Sequence, residues 1–509
     1  MFKFISMYNY ILIMKTKNIL KLFFCVIIFL SLKSCNKNDP DDNIINFVPD
    51  TTIVSPEADS ESIENTLYLE INDFIWENLN QYYYWQNDVA NLSDAKSNDA
   101  STYLEFLKTY SDSEKFFESL KYKDDRWSWI EKDYKTLENQ LSGVSSSNGM
   151  DFGLSYVCSG CPELIGFVYY IQPKSNASEQ DIKRGDIFYA VNDTPLTVDN
   201  WIELLNGNIS YTLNMADYEN STFKSNGKSV ELTKIEDFQE NPIHTNKIIE
   251  IQDKKIAYLL YNGFLSSFED PLISVFDDFK SNNVTDLVLD LRYNPGGSVN
   301  NSTYLASMIT GQFKGEVFTK EIWNSKLTTY FESEAPDRLL NLFTDKTFSG
   351  NNLPALNLEK IYILTSGRSA SASELVINGL SSHIDVVHIG YKTAGKNVGS
   401  VTLYDYIDND GTKNPKHDYA MQPIVLKMAN KDGFSDYSDG LIPDIEIKED
   451  IFNLGVLGEI NEPLLAEAIS KITGSSKKYP KKIFNESQNV INPENESKMR
   501  MFKEDFNLK

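Results

Sequence analysis

Two residues of this sequence could together break an acyl bond: Ser371 in the run SASASE and Lys396 in the run TAGKN. A serine at the first turn of a helix lies beside free backbone N–H groups, which would stabilise the oxyanion on an attacked carbonyl carbon. A lysine can act as general base only if burial lowers its pKa from about 10.4 toward 7–8. The pair therefore predicts nucleophilic attack by Ser371 with Lys396 as the base.

The elements that must position this pair alternate between strand and helix. Residues 361–364 predict a buried strand, residues 371 to about 382 an amphipathic helix, and residues 385–390 a second strand, and the lysine loop follows. Ser371 and Glu374 also form an S-x-x-E capping box. On the helix alone, a capping serine is the better interpretation, and it is the lysine that favours catalysis.

The turn NPGG, residues 294–297, is the second candidate for chemistry, and it follows a buried strand. Glycine lets backbone amides approach a reacting carbonyl group. An amide held in this way could stabilise the oxyanion on such a carbonyl group. Taken alone, NPGG is equally an ordinary turn between a strand and a helix. The alternation of strands and helices in this part of the chain indicates an α/β core.

SASASE, TAGKN and DLRYNPGG together resemble the motifs of the C-terminal processing (tail-specific) serine peptidases. The resemblance covers about residues 63–472. It implies a Ser371/Lys396 dyad in a crotonase/ClpP-like α/β core, with no metal and no organic cofactor. It also implies that the amide of Gly296 or Gly297, together with that of Ala372, holds the oxyanion. Many members carry a glutamine four residues after the lysine that helps to orient it. Ser400 stands in that place here, so Ser400 or Asn397 is expected to take over the role, and Arg292 is assigned to the architecture of the turn.

Residues 149–237 resemble a PDZ domain through FGLSY and the segment SNASEQDIKRGDIFYAVNDTPL. In such a domain, successive backbone N–H groups hold a chain terminus while the peptide adds as a strand. The resemblance places that peptide site at Phe152, Gly153, Leu154 and Ser155. The implied partners are protein or peptide substrates with free C-termini.

The composition excludes some classes of binding partner. A net charge of −25 argues against nucleic acid and against an anionic membrane surface. Four cysteines are too few for a disulfide scaffold. Cys158 and Cys161 form a CSGC run, but no further ligand pair is visible, so a local disulfide or two free thiols are expected instead of a zinc site. The sequence does not indicate an oligomeric state.

The first 35 residues predict a targeting segment. Lysines precede an apolar run, residues 22–32, whose length suits a signal-peptide core better than a membrane span. Residues 32–35 resemble a bacterial lipobox, which implies lipidation of Cys35, although Lys33 departs from its usual pattern. The acidic run that follows resembles export tags of surface lipoproteins in Bacteroidetes-like bacteria. We therefore expect an outer-membrane lipoprotein of the cell envelope, periplasmic or surface-exposed, attached to the membrane through its lipid anchor.

These patterns predict a multidomain α/β protein. Aromatic residues at three- and four-residue steps indicate the helical part, and lysine and asparagine content indicates a loose C-terminal tail. The predicted parts are a lipoprotein signal peptide (1–35), an acidic linker (36–60), a helical N-terminal domain (61–145), a PDZ domain (149–237), a Ser/Lys peptidase core (238–474) and a flexible tail (475–509).

The predicted function is an extracytoplasmic serine endopeptidase of the C-terminal processing type. A Ser-His-Asp triad is the rival mechanism, and it would have to use His244, His383, His388 or His417. The serine turn falls one glycine short of a G-x-S-x-G elbow, which disfavours that mechanism. The alternative function is a catalytically weak or inactive peptide-binding lipoprotein with a PDZ domain. An acyl-CoA enzyme of the crotonase-like fold is disfavoured, because the leader directs the chain away from that cofactor.

Overall fold

The structure is a computed structural model that describes residues 57–220, 222–475, 490–491 and 499–504. The predicted signal peptide, Cys35 and nearly all of the acidic linker lie outside these residues. The fold below belongs to one compact unit, Glu61–Lys509. Its α-helices are α1 (Glu57–Tyr82), α2 (Ala100–Leu107), α3 (Ser113–Ser119), α4 (Tyr134–Leu141), α5 (Trp201–Asn206), α6 (Glu269–Ser281), α7 (Val299–Thr310), α8 (Ser325–Glu334), α9 (Ala372–Ser381) and α10 (Pro463–Thr473).

The strands form three large sheets and two small ones. They are β1 (Trp129–Glu131), β2 (Val144–Ser147), β3 (Met150–Tyr156), β4 (Leu164–Ile171), β5 (Ile187–Val191), β6 (Thr194–Pro195), β7 (Ser210–Glu219), β8 (Thr222–Thr233), β9 (Ile235–Gln239), β10 (Ile243–Ile251), β11 (Lys254–Tyr261), β12 (Asp286–Asp290), β13 (Gly296–Ser298), β14 (Val317–Trp323), β15 (Leu340–Leu342), β16 (Lys360–Thr365), β17 (Asp385–Gly390), β18 (Val398–Ser400), β19 (Leu403–Tyr404), β20 (Ala420–Gln422), β21 (Ile424–Asn430), β22 (Ile445–Glu446), β23 (Val490–Ile491) and β24 (Arg500–Phe502).

A largely parallel sheet of order β10-β11-β12-β16-β17-β22 carries the predicted nucleophile turn at one end of β16. Its strands from β11 to β22 pair in parallel, and β10 pairs antiparallel to β11. Such strands are covered on both faces, which is why β11, β12 and β16 are nearly continuous apolar runs. Helices α6 and α9 cross between neighbouring parallel strands. The predicted mixed α/β class is thus confirmed.

A second sheet, of order β13-β24-β18-β21-β14-β15, contains the segments that follow the two other predicted motifs. Strand β13 continues the NPGG turn, and β18 follows Lys396. Strand β24, from the C-terminal tail, lies between them and runs parallel to both. The prediction of a flexible tail is therefore wrong for residues 500–502. The polar sequence around them gave no sign of structure, but pairing with two distant strands holds them in place.

A third sheet, of order β23-β3-β4-β5-β7-β8 with β6 beside β5, occupies the range in which the sequence predicts a PDZ domain. It has a hydrophobic core of its own, which includes Leu154, Phe188 and Leu213. Strand β23 of the tail pairs antiparallel with β3, with Ile491 opposite Leu154. A tail segment thus pairs with the edge of β3 that does not face β4.

The N-terminal helices share one hydrophobic core with the two sheets of the α/β part. Ile75 and Leu79 of α1 belong to the same cluster as Leu289 of β12. Within the predicted helical domain 61–145, residues Trp129–Glu131 form strand β1, which is a departure from that prediction. This strand pairs antiparallel with Ala420–Gln422, so a long-range partner overrides the local helical pattern.

Three further predictions concern the described residues. Cys158 and Cys161 form a disulfide, one of the two alternatives predicted for them. Within the described ranges, no group of three or more His, Cys, Asp or Glu residues is arranged to hold a metal ion. No helix in that part of the chain is both long and apolar enough to cross a membrane.

Candidate active site

Ser371 occupies a sharp turn between β16 and α9. Its backbone angles, φ 64° and ψ −114°, are strained for any residue with a side chain. Such a turn holds a nucleophile in a fixed direction at the start of a helix. Ser371 Oγ is fully buried and has no hydrogen-bond partner among the described residues. The S-x-x-E capping box predicted from the sequence is nevertheless present, with Glu374 Oε2 accepting from Ser371 N at 2.7 Å.

Lys396 lies in the loop before β18 and is fully buried. Burial and, to a smaller extent, the positive charge of Arg500 lower the pKa of its amine to about 7, against the smaller attraction of Asp125 and Glu374. Its Nζ donates a hydrogen bond of 2.6 Å to the carbonyl oxygen of Met499 in the tail. A lysine with this pKa is partly neutral near pH 7, as the base role requires.

The Glu374 carboxylate connects the serine turn to the lysine loop. One of its oxygens, Oε2, accepts hydrogen bonds from Ser371 N at 2.7 Å and from Lys396 N at 2.8 Å. The other, Oε1, accepts from Thr393 Oγ1 at 2.5 Å and from Gly395 N at 2.7 Å. Burial raises the pKa of this carboxyl group, and the four donors oppose that effect. Sequence reasoning gave Glu374 a capping role and did not anticipate its bonds to the lysine loop.

The predicted oxyanion donors lie close to Ser371. Gly296 has φ 109°, and a side-chain carbon there would lie 2.7 Å from Ser371 Cβ and 3.0 Å from Ala372 N and would collide with Arg500 O. Only glycine fits that position, which leaves the backbone next to the nucleophile. The Gly296 amide, however, donates to Asn294 Oδ1 at 2.8 Å.

Gly297 is the second of the two glycines and also adopts a positive φ, 137°. It lies in β13, where its register partner is Met501 of the tail. Because the Gly296 amide is bonded within its own turn, Gly297 is kept as the partner of Ala372 in the predicted oxyanion hole. Their assignment stays a prediction.

The two residues expected to orient the lysine contact other groups. Ser400 Oγ donates to Met501 O at 3.2 Å, and Asn397 Nδ2 donates to Ser435 O at 2.7 Å. Neither is hydrogen-bonded to Lys396 Nζ, so in this structure neither replaces the glutamine of the resembled motif. The position of Lys396 is instead fixed through its backbone N–H, by Glu374.

The histidines do not supply an alternative base. Each is bonded elsewhere: His244 Nε2 to Ile171 O, His383 Nε2 to Val317 O, His388 Nε2 to Thr365 Oγ1, and His417 Nε2 to Asp405 Oδ2. Burial lowers the pKa of His388 to about 4, as expected for a neutral structural histidine in a strand. The Ser-His-Asp triad considered above is therefore not formed.

Comparison with known proteins identifies the chain. Residues 255–447 match peptidase family S41, and residues 70–129 match the peptidase S41 N-terminal domain. Residues 255–447 therefore form a peptidase S41 domain. The members of this family are serine proteases, so the predicted enzyme class is confirmed.

One solved structure agrees with this match, and two more distant ones are reported for comparison. A crystal structure of a Bacteroides fragilis NCTC 9343 protein assigned to the S41 proteases is 26% identical, covers 79% of this chain and 97% of that one, and has a TM-score of 0.61. The photosystem II D1 C-terminal processing protease is 17% identical, with coverages of 80% and 98% and a TM-score of 0.44. Mature CPAF is 13% identical, with coverages of 81% and 96% and a TM-score of 0.39. No curated protein matches the chain.

In this S41 peptidase, a buried ion pair joins the predicted peptide site to the nucleophile turn. Strand β3 carries Phe152, Gly153, Leu154 and Ser155, the residues predicted to bind a peptide. Just before them, Asp151 accepts two hydrogen bonds from the guanidinium of Arg368, at 2.6 and 2.7 Å. Arg368 lies three residues before Ser371, and its guanidinium carbon lies 4.8 Å from the centre of the Tyr169 ring. The sequence gave no signal that paired these two residues.

Arg292 of the S41 peptidase lies in a buried cluster of carboxylates. Its guanidinium bonds Asp290 at 2.8 Å, Glu449 at 3.0 Å and Glu462 at 2.6 Å. Arg184, from the loop before β5, also bonds Glu449 at 2.8 Å. These contacts agree with an architectural role for Arg292, since none of them involves the dyad.

Proposed function

We propose that this S41 peptidase hydrolyses peptide bonds with a dyad of Ser371 and Lys396. The single observation that carries the proposal is a fully buried lysine with a pKa of about 7 whose backbone shares one carboxylate oxygen with the backbone of a strained serine. A cap needs no such lysine, and burying a titratable amine costs stability. A catalytic base is the use that fits that cost.

The proposed reaction follows from these groups. Neutral Lys396 takes the proton of Ser371 Oγ as the oxygen attacks the peptide carbonyl carbon. The amides of Ala372 and Gly297 hold the oxyanion, and one such donor is worth about 10²–10³ in rate. Protonated Lys396 then gives its proton to the leaving amine, and water hydrolyses the acyl-enzyme with Lys396 again as base.

We further propose that substrates are proteins or peptides captured by a free C-terminus on β3, which would be the groove strand of a PDZ domain. The capacity of β3 to accept another strand supports this, because Leu154 and Ser155 already pair with residues 491 and 490. Strand addition supplies backbone hydrogen bonds with any sequence, and side-chain pockets add specificity.

The proposed location is the cell envelope, with a lipid on Cys35 as the anchor. The lipobox-like run in the leader supports it, and the Cys158–Cys161 disulfide suits an oxidising compartment. Replacement of Cys35 by serine should release the protein from the membrane fraction and remove the lipid from its intact mass. Retention of both in the variant would contradict the proposed anchor.

Catalysis is tested with an unstructured protein that has an apolar C-terminus. Wild type should cleave it, and Ser371→Ala and Lys396→Met should each lower kcat by at least about 10³-fold. Lys392→Met is the matched control, since Lys392 is an exposed lysine of the same loop. Full activity of Lys396→Met would refute the dyad. A wild type that binds the substrate without cleaving it would favour the peptide-binding alternative.

A further inference from the structure

We propose that the C-terminal segment 499–504, here termed the tail strand, is a resident inhibitor that occupies the substrate groove of this enzyme. The proposal rests on the proposed function, since the groove is defined by the Ser371/Lys396 site. The groove is the space between β13 and β18, the two strands that leave the NPGG turn and the lysine loop. Strand β24 fills it and runs parallel to both neighbours.

The backbone of the tail strand crosses the dyad. Met499 O accepts the 2.6 Å hydrogen bond from Lys396 Nζ. The next carbonyl oxygen, that of Arg500, faces Gly296 at the point where Ser371 Cβ and Ala372 N also converge. One tail carbonyl group is thus bonded to the base, and the next lies at Gly296, the glycine that also borders Ser371 Cβ, as a bound polypeptide would place them.

This arrangement keeps the dyad inactive. Lys396 Nζ donates to the tail, while Ser371 Oγ has no hydrogen-bond partner among the described residues, so serine and base are not engaged with each other. Both side chains are 0% exposed. A substrate carbonyl cannot reach Ser371 unless the tail strand leaves, because both would occupy the same space.

Side chains hold the tail strand in a fixed register. Met501 is fully buried, and its carbonyl oxygen accepts from Ser400 Oγ at 3.2 Å. Lys503 Nζ lies 2.7 Å from Glu321, whose side chain is 0% exposed. Glu504 accepts from Ser298 Oγ at 2.9 Å. The buried Glu321 carboxylate pairs with the Lys503 ammonium, so the site is complementary in charge to this segment.

The same tail also occupies the proposed capture surface. Residues 490–491 form β23 on the edge of β3, upstream of the tail strand in the chain. The C-terminal region thus contacts, in chain order, the strand proposed to bind substrate ends and the dyad proposed to cut them. Since both contacts are made by described residues of one chain, the occupant is the enzyme's own tail.

The first test weakens the tail strand within the full chain. Lys503→Glu places a carboxylate against the buried Glu321, and it should expel the tail and raise kcat/KM at least tenfold. Lys346→Glu is the matched control, an exposed lysine elsewhere in the chain, and it should leave kcat/KM within twofold. A variant that ends at Ser475 should be activated to the same extent. Equal activity of wild type, Lys503→Glu and the shortened variant would overturn the proposal.

The second test adds the tail in trans. A synthetic peptide of residues 499–509 should inhibit the shortened variant by raising KM with little change in kcat, while a scrambled peptide should not. Intact mass would show whether the enzyme cuts off its own residues 500–509. If wild type loses them and Ser371→Ala keeps them, the tail is a substrate, and the inhibitor role is refuted.

A third measurement separates this proposal from the proposed function. In the Ser371→Ala background, amide exchange of β13 and β18 should be slow in the full chain and at least tenfold faster in the shortened variant. If no form of the enzyme cleaves protein, the dyad proposal fails while exchange still reports tail occupancy. Fast exchange in both forms would refute occupancy, even if the dyad is correct.

Discussion

At the scale of single residues, the site combines two unfavourable features. Ser371 holds a side chain at a positive φ, and Lys396 holds an amine where solvent does not reach it. Each lowers stability, the first by about 1–3 kcal/mol and the second through the transfer of a charge from water. Strained backbone and displaced pKa values of this kind cluster at functional sites, which supports catalysis over capping.

The activity should depend on pH through the amine of Lys396. With a pKa of about 7, this group is protonated and inactive as a base below that pH and neutral above it. We therefore expect kcat/KM to rise with pH, to reach half its maximum near pH 7 and to level off above pH 8. A pH–rate profile measures this, and activity that stays constant from pH 5 to pH 8 would exclude Lys396 as the base.

Removing the amine should stabilise the fold. The pKa of Lys396 is about 7 in the folded chain and 10.5 as a model value, so the unfolded chain binds more protons between these values and wild-type stability rises with pH there. Below pH 7 the amine is protonated in both states, so the full free-energy cost of burying its charge lowers the stability of the folded chain. At about 1.36 kcal/mol per pKa unit, Lys396→Met should raise the free energy of unfolding at pH 7 by roughly 4 kcal/mol, less the lost hydrogen bond. Denaturant unfolding beside Lys392→Met measures it, and a destabilised Lys396→Met would contradict this account.

At the scale of elements, helix α9 and the lysine loop form one unit through Glu374. The carboxylate accepts four hydrogen bonds. Two come from Thr393 and Gly395 of the lysine loop, and two come from the backbone N–H groups of Ser371 and Lys396. A helix and a loop held by one buried group move together, so the dyad geometry is set by the same contacts that stabilise the fold.

Glu374→Gln tests this unit with almost no change in size. An amide group has one accepting oxygen, so at least one buried N–H or hydroxyl donor loses its acceptor, at about 1–3 kcal/mol. We expect kcat to fall at least tenfold while KM changes little, because substrate binding does not use this carboxylate. Glu359→Gln, at an exposed position before β16, is the control. Wild-type kcat in Glu374→Gln would show that the carboxylate does not position the dyad.

Local patterns explain which elements could be predicted from the sequence. The strand at 385–390 and the helix after Ser371 follow the predicted bounds to within a residue, because their apolar periodicity is local. Strands β1 and β24 were missed, since their partners lie hundreds of residues away and a polar tail gives no periodic signal. For the same reason the lysine-loop partners of Glu374 and the Arg368–Asp151 pair had no signature in the chain.

At the scale of the whole molecule, buried charges join the third sheet, the parallel sheet and the last helix. Glu449 bonds Arg184 and Arg292, and Glu462 at the start of α10 bonds Arg292. Removal of one partner from such a cluster leaves an uncompensated buried charge and costs about 3–5 kcal/mol. The relative placement of these elements therefore depends on groups that titrate.

Acid should weaken this cluster. Arg292 and Arg184 outweigh the burial of Glu449 and lower its pKa to about 2 from a model value of 4.5. A lowered folded pKa gives stability that is complete above pH 4.5 and is lost as the pH falls toward 2. Wild type should lose stability steeply across that window, and Glu449→Gln should be less stable at pH 7 but lose less on acidification. Parallel unfolding curves from pH 6 to pH 3 would contradict this role of Glu449.

The positive φ of Ser371 has a consequence for the evolution of this enzyme. Glycine adopts these backbone angles without strain, so replacing the serine by glycine ends catalysis and stabilises the turn in one step. A lineage that no longer needs cleavage would gain from that exchange at once, whereas a lineage under selection for cleavage must keep the strained residue. The identity of this one residue in descendant genomes would therefore record whether proteolysis is still being selected.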